Sequence, residues 1–267
     1  MTRILTAVLL IPFIVCLVLW APSYLLAAVQ IAITEAALWE FFRLAEGSGA
    51  RVVRVPGYAF ASAIAVLSLT GPISVWLLTA VVLFLLVLLG SAMLYHRELA
   101  GFLVSVSSTL LGVFYVAVPL SLLVWVCVRP GGLGRLVILF GLVVVWTGDT
   151  AAFFVGRTWG QHKLAPRISP GKTWEGSAAS LVSAILASLL FSRFFGREIG
   201  YSEAGLLAAV INVAAQVGDL AESALKRSAG VKDSSQLVPG HGGVLDRIDA
   251  LLFAAPVLWY YWLWKAP

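Results

Sequence analysis

FLVSVSSTLLGVFYVAVPLSLLVWVCV, residues 102–128, carries no charged side chain from end to end. A helix needs about 20 apolar residues to cross the hydrocarbon core of a bilayer, and this stretch exceeds that. Runs of the same kind occupy 4–20, 23–42, 57–70 and 72–95 before it, and 133–155, 174–195, 203–224 and 247–264 after it. Apolar and polar residues do not alternate at barrel-strand spacing, so the runs read as helices. The expected fold is all-α: a polytopic integral membrane protein with about nine transmembrane helices. The 57–70 run is short and Gly71-Pro72 follows it, so a re-entrant pair with eight spans is the alternative.

Composition excludes a soluble domain. Of 267 residues, 61% are hydrophobic and 12% charged, against roughly 45–50% and 25% in soluble proteins. The net charge of +5 does not point to nucleic acid, because the basic residues sit in short loops between apolar runs. The partner that the composition implies is the lipid bilayer. Cys16 and Cys127 lie in apolar runs without any CxxC or Cys/His spacing, which predicts buried free thiols. Met1–Trp20 could pass for a signal peptide, but another apolar run follows directly after Pro22, so a retained helical hairpin is expected.

Lys and Arg set the orientation. With the N-terminus inside and nine spans, thirteen of the 18 basic residues fall in inside segments, among them Arg157, Lys163, Arg167, Lys172, Lys226, Arg227, Lys232 and Arg247. The longer polar loops, 156–173 and 225–246, then face the cytoplasm. Trp259, Tyr260, Tyr261, Trp262 and Trp264 read as an anchor in the headgroup layer. Residues 1–140, where Glu35 and Glu40 are the main acids within spans, read as scaffold helices, and 141–267 as the catalytic region of one membrane domain.

That second region holds acids at span ends: Asp149, Asp219, Glu222, Asp246 and Asp249. Ionisable groups at membrane depth are costly, which makes them functional candidates. Asp246 and Asp249, three apart, share one helix face and could grip one cation; equally, Asp246 suits an N-cap and both suit the helix dipole. Asp219 on another helix at the same membrane face favours a hard-cation site. Glu222, four residues before Lys226, has an ordinary reading as its ion-pair partner.

Pro239-Gly240-His241-Gly242-Gly243 permits close backbone approach to a ligand, with His241 as a substrate contact. Ser169-Pro170-Gly171-Lys172-Thr173 resembles the end of a P-loop, but Pro166 stands where its first glycine belongs. What remains is Lys172 leading into a helix whose N-terminal amides could receive an anion.

The string SALKRSAGVKDSSQLVPGHGGVLDRID, from Ser223 to Asp249, resembles the signature of the phosphatidate cytidylyltransferase family. Ser223, Lys226, Arg227, Lys232, Asp233, His241, Gly242, Gly243, Asp246, Arg247 and Asp249 fall at the family's spacing, and Val238 departs mildly from it. The segments 148–176 and 218–223 are similar to further blocks of that family. The resemblance implies a reaction in which CTP and phosphatidic acid give CDP-diacylglycerol and pyrophosphate, with Mg²⁺ and a second, monovalent cation such as K⁺. It implies the cytoplasmic (inner) membrane, with the active site facing the cytoplasm. On this reading Asp219, Asp246 and Asp249 are the metal-holding and catalytic carboxylates. Lys172, Ser223, Lys226, Arg227, Lys232, His241 and Arg247 contact substrate, while Asp149 and Glu222 stand behind them. A homodimer is one expectation for assembly.

Rival readings are a CTP-dependent lipid or polyprenol kinase and a transporter of an anionic solute. A transporter would show an inverted repeat, which the chain lacks to the eye. A CDP-alcohol phosphotransferase needs a DG dipeptide, and none occurs.

Overall fold

The computed structural model describes residues 2–69, 75–95, 100–195, 198–237 and 242–265. These form nine helices and one pair of short strands: α1 (Thr2–Trp20), α2 (Ser23–Gly47), α3 (Arg54–Leu67), α4 (Val75–Tyr95), α5 (Phe102–Cys127), α6 (Leu133–Thr158), β1 (Lys163–Ala165), β2 (Ser169–Thr173), α7 (Trp174–Phe195), α8 (Tyr201–Ser228) and α9 (Leu245–Lys265). Each expected span falls on one helix. The protein is all-α and polytopic, and α2, α5, α6, α7 and α8 are long and apolar enough to cross a membrane by length and composition. Leu78, Leu103, Leu186, Leu190 and Leu206 stand on the surface, where lipid rather than water is the fitting solvent. With 14 residues, α3 rises only about 21 Å at 1.5 Å per residue, short of the ~30 Å core. Gly71-Pro72, on which the re-entrant reading turns, lies outside the described residues.

The chain divides into two compact units, Met1–Val128 with Leu225–Arg247, and Arg129–Ala224 with Ile248–Pro267. The sequence placed its boundary at 140/141 and grouped 225–247 with the C-terminal region. Packing groups that segment with the N-terminal helices because α2 supplies the acceptor for its backbone, as described below.

In the first unit α2, α3 and α5 pack together and α4 lies against α3 and α5. Small residues make this approach possible: a Cβ on Gly112 would stand 2.6 Å from the Phe41 ring. The Phe60 and Phe84 rings stack with centroids 4.1 Å apart, and the buried Gln30 amide donates to Ser121 Oγ at 2.7 Å. Cys127 is buried as expected, with its Sγ 3.7 Å from the Val18 carbonyl oxygen, whereas Cys16 is exposed and corrects that expectation.

In the second unit α6 is the axis. It follows Gly131 and Gly132, whose φ of 92° and 79° makes the turn that other residues would strain to adopt. Along α6, Gly141 receives Leu258 of α9, and Gly148 receives Asn212 of α8 and Ser180 of α7, so close that any Cβ would collide. The longer polar loop 156–173 contains the antiparallel β1–β2 ladder, with Lys163 opposite Thr173 and Ala165 opposite Ser169. This hairpin rests on α6 and α7.

Candidate active site

A cavity of about 640 Å³ opens in the second unit, walled by the end of α6, the hairpin, the start of α7 and α8. Asp149, Arg157, Lys163, Lys172, Ser177, Ser180, Gln216 and Asp219 line it, with Ala152, Phe153 and Leu164 as apolar wall. Glycine keeps its helices close: a Cβ on Gly176 would lie 2.9 Å from the Ala152 carbonyl oxygen, and one on Gly218 would lie 2.7 Å from that of Asp249.

The wall shared by α7 and α8 is a hydrogen-bonded ladder. Asn212 Nδ2 donates to Ser180 Oγ at 2.9 Å, Gln216 Nε2 donates to Asn212 Oδ1 at 2.7 Å, and the Ser177 hydroxyl donates to Gln216 Oε1. One turn further on, Asp219 forms an ion pair with Lys172, Oδ2 lying 2.7 Å from Nζ. Lys172 therefore enters the cavity from β2 as a cation already oriented by a carboxylate. The amides that follow it are engaged within the protein: Trp174 N–H donates to the His162 carbonyl at 2.9 Å and Gly176 N–H to Thr173 Oγ1 at 3.2 Å. Thr173 thus caps α7, and the Lys172 side chain is what can meet an anion here.

Asp219, Glu222 and Asp249 each offer a carboxylate oxygen, and the three oxygens lie within 4.8 Å of one another. Glu222 is fully buried, while Asp219 and Asp249 are half-buried. Spacing of three along α8 puts Asp219 and Glu222 on one face, and Asp249 comes from the first turns of α9. Like charges so close repel unless a cation or a proton intervenes. Three convergent hard oxygens suit a hard divalent cation of the Mg²⁺ type, and the donor chemistry therefore fits the ion that the sequence implied.

Asp246 has a different setting, in the first unit. Its carboxylate accepts Lys226 Nζ at 2.7 Å, Gly243 N–H at 2.7 Å, and Ser234 through N–H at 3.1 Å and Oγ at 3.0 Å. Lys226, read from its spacing as a partner for Glu222, has its Nζ 2.7 Å from Asp246 Oδ1. Val231 N–H donates to the Lys226 carbonyl and Ser234 N–H to Asp246, so this turn after α8 and the start of α9 meet at that lysine. Gly242 has φ 82°, and a Cβ on it would stand 2.7 Å from Asp246 Oδ2, while one on Gly243 would strike Ser234 and Glu40. These two glycines thus make room for the protein's own carboxylates.

The remaining sequence candidates are placed as follows. Asp149 is exposed at the cavity, and Ser223 is buried in α8. Arg227 is exposed and donates to the Val231 carbonyl at 3.0 Å, closing the turn after α8. Lys232 and Arg247 are exposed. His241 lies outside the described residues.

A profile of the cytidylyltransferase family matches residues 1–264. The chain belongs to the cytidylyltransferase family. It is similar to the phosphatidate cytidylyltransferases of Haemophilus influenzae (44% identical over 48% of this chain and 46% of that protein) and Bacillus subtilis (44% over 48% and 47%). It also resembles an uncharacterized Escherichia coli protein (38% over 61% and 55%). The match spans about half the length of these relatives.

The sequence did not single out Ser177, Ser180, Asn212 and Gln216, and it left Glu40 among the scaffold helices. For α8 a signal was available: Asn212, Gln216, Asp219 and Glu222 recur at helical spacing and mark one polar stripe on an apolar helix. Ser177 and Ser180 repeat at three on α7, but serine is common at helix contacts in membranes and points to no site by itself.

Proposed function

We propose that the chain is a phosphatidate cytidylyltransferase that transfers CMP from CTP to phosphatidic acid, giving CDP-diacylglycerol and pyrophosphate. The observation that carries this reading is the convergence of Asp219, Glu222 and Asp249 in the unit that holds the basic, half-apolar cavity. That combination suits one polyphosphate substrate and one lipid substrate.

Mg²⁺ would be held by Asp219, Glu222 and Asp249, and when bound it supplies neutralising charge for the CTP phosphates and the departing pyrophosphate. The donor set differs from the sequence reading by Glu222 in place of Asp246. The lipid phosphate is ionised at neutral pH, so it can attack the α-phosphorus without a strong general base. A P–O bond forms to that phosphorus and the bond to the β-phosphate bridging oxygen breaks. The chain's own work is to bring two anions together. Lys172, with Arg157 and Lys163 on the same cavity wall, offsets their repulsion, and Asp219 holds the Lys172 ammonium in direction. Lys226, held by Asp246, is assigned to a substrate phosphate as well. Phe153 and Leu164 give the lipid backbone an apolar contact.

The deciding assay incubates purified protein with cytosine-labelled CTP, phosphatidic acid and Mg²⁺. Label in the lipid phase with release of pyrophosphate is the expected result. Release of CDP with unlabelled lipid would establish the kinase reading instead. The excess of Lys and Arg in loops 156–173 and 225–246 supports a site at the cytoplasmic face of the inner membrane. Cysteines introduced at Arg167 and Lys232 should then react with an impermeant reagent only after the cells are opened, and labelling of intact cells would reverse the orientation.

A further inference from the structure

Glu40 is fully buried in α2, a helix whose other buried residues are mostly apolar. A carboxylate there is costly unless its oxygens are satisfied by donors. Its donors all come from one segment: Ser234 Oγ at 2.9 Å, the Ser235 hydroxyl, Val244 N–H at 2.9 Å and Leu245 N–H at 2.7 Å. Val244 and Leu245 begin α9, and their amides have no intrahelical carbonyl to reach. Glu40 therefore caps α9 from another helix and complements its positive end.

Ser234 extends the connection. Its Oγ lies 2.9 Å from Glu40 Oε2 and 3.0 Å from Asp246 Oδ2, and its backbone N–H also points to Asp246. One hydroxyl proton cannot serve both carboxylates at once, so the serine keeps them at a fixed separation while sharing it. Asp246 then holds Lys226 Nζ at 2.7 Å. An apolar side chain at position 40 would suit helix packing as well as glutamate does; the carboxylate answers only to the donors of 234–245.

We propose that Glu40 is a positioning residue for the reaction: through Ser234 and Asp246 it fixes the Lys226 ammonium where a substrate phosphate is received. This rests on the reading that Lys226 contacts such a phosphate. The test uses the full chain in detergent with three variants, Glu40→Gln, Glu40→Asp and Ser234→Ala. Each is followed by hydrogen exchange over 231–247, by equilibrium dialysis of CTP, and by separate KM values for CTP and phosphatidic acid.

Glu40→Gln sets an amide NH₂ against backbone donors, so exchange at Val244 and Leu245 should quicken. The KM of one substrate should rise roughly tenfold, the scale of lost outer-shell support, with the Mg²⁺ requirement unchanged. A rise for CTP should appear in dialysis too, and a rise for phosphatidic acid alone assigns Lys226 to the lipid. Ser234→Ala keeps the cap and the backbone N–H to Asp246 but removes the hydroxyl that joins Glu40 to Asp246, so it should reproduce the KM rise without faster exchange at 244–245. Glu40→Asp should restore part of both. Lower thermal stability with unchanged KM values would overturn the proposal, leaving Glu40 as a fold-stabilising cap. If Glu40→Gln does not fold, Ser234→Ala decides alone. A wild-type chain that transfers no cytidylyl group overturns the functional reading beneath; an active wild type with unmoved KM in Ser234→Ala overturns this proposal only.

Discussion

Two groups of acids in this molecule have different surroundings. In the first unit, Glu40 and Asp246 face donors: backbone amides, serine hydroxyls and the Lys226 ammonium. In the second, Asp219, Glu222 and Asp249 bring carboxylate oxygens within 4.8 Å of one another, with Lys172 paired to Asp219 at the edge of the group. Donors around a carboxylate stabilise its charged form and hold a loop in place, so the first group contributes stability in its own right. Carboxylates around a carboxylate destabilise one another until a cation is shared. The contrast separates acids that build the site from acids that bind in it, and it does so for Asp246 and Asp249, which lie three residues apart in one helix.

The largest expected effect is on turnover. Asp219→Asn and Asp249→Asn should each lower kcat/KM by about 100-fold or more, since metal charge stabilisation is worth several kcal/mol and each 1.36 kcal/mol is tenfold. Raising Mg²⁺ should recover part of this in a titration of rate against metal. Asp246→Asn should act through substrate KM instead, with an unshifted Mg²⁺ curve. Equal shifts of that curve in Asp246→Asn and Asp249→Asn would erase the distinction between the two groups.

A second test has opposite signs on the two sides. Glu222→Gln lowers the negative charge gathered around Asp219 and Asp249 and should raise the melting temperature of the metal-free protein by a few °C, about the shift that 1 kcal/mol gives in a chain of this size. Asp246→Asn breaks the pair with Lys226, whose side chain is only 13% exposed, and should lower the melting temperature with or without Mg²⁺. Scanning fluorimetry with and without chelator reads both.

Smaller changes sharpen the cavity's part. Lys172→Ala should raise KM for a phosphate-bearing substrate roughly tenfold, the size of a charged hydrogen bond of 1.5–3 kcal/mol, and leave the Mg²⁺ curve in place. A matching shift in Mg²⁺ dependence would mean that its work is to hold Asp219. Asn212→Ala, in the ladder beside the cavity, should cost about 1 kcal/mol of stability. A denaturant or thermal series on the purified protein reads that smallest term.

The helices and their solvent were legible in the sequence because the apolar run is a local property: a stretch such as 102–128 has no other place to bury itself than lipid. The acids at span ends were legible as a set for the same reason, since charge at membrane depth stands out against its neighbours. Helical spacing treats Asp246 and Asp249 alike, and it gives Glu222 an equally good partner in Lys226. Only the tertiary structure distinguished them, because partners come from segments far apart in the chain. Glu40 reaches across 194 residues to Ser234, and Lys226 pairs with Asp246, 20 residues away, while Asp249, one turn on, lies with Asp219 and Glu222. Periodicity fixes which residues share a face of one helix; which carboxylates share a donor or a cation depends on helix packing, set here by glycines such as Gly148, Gly176 and Gly218 that let backbones approach.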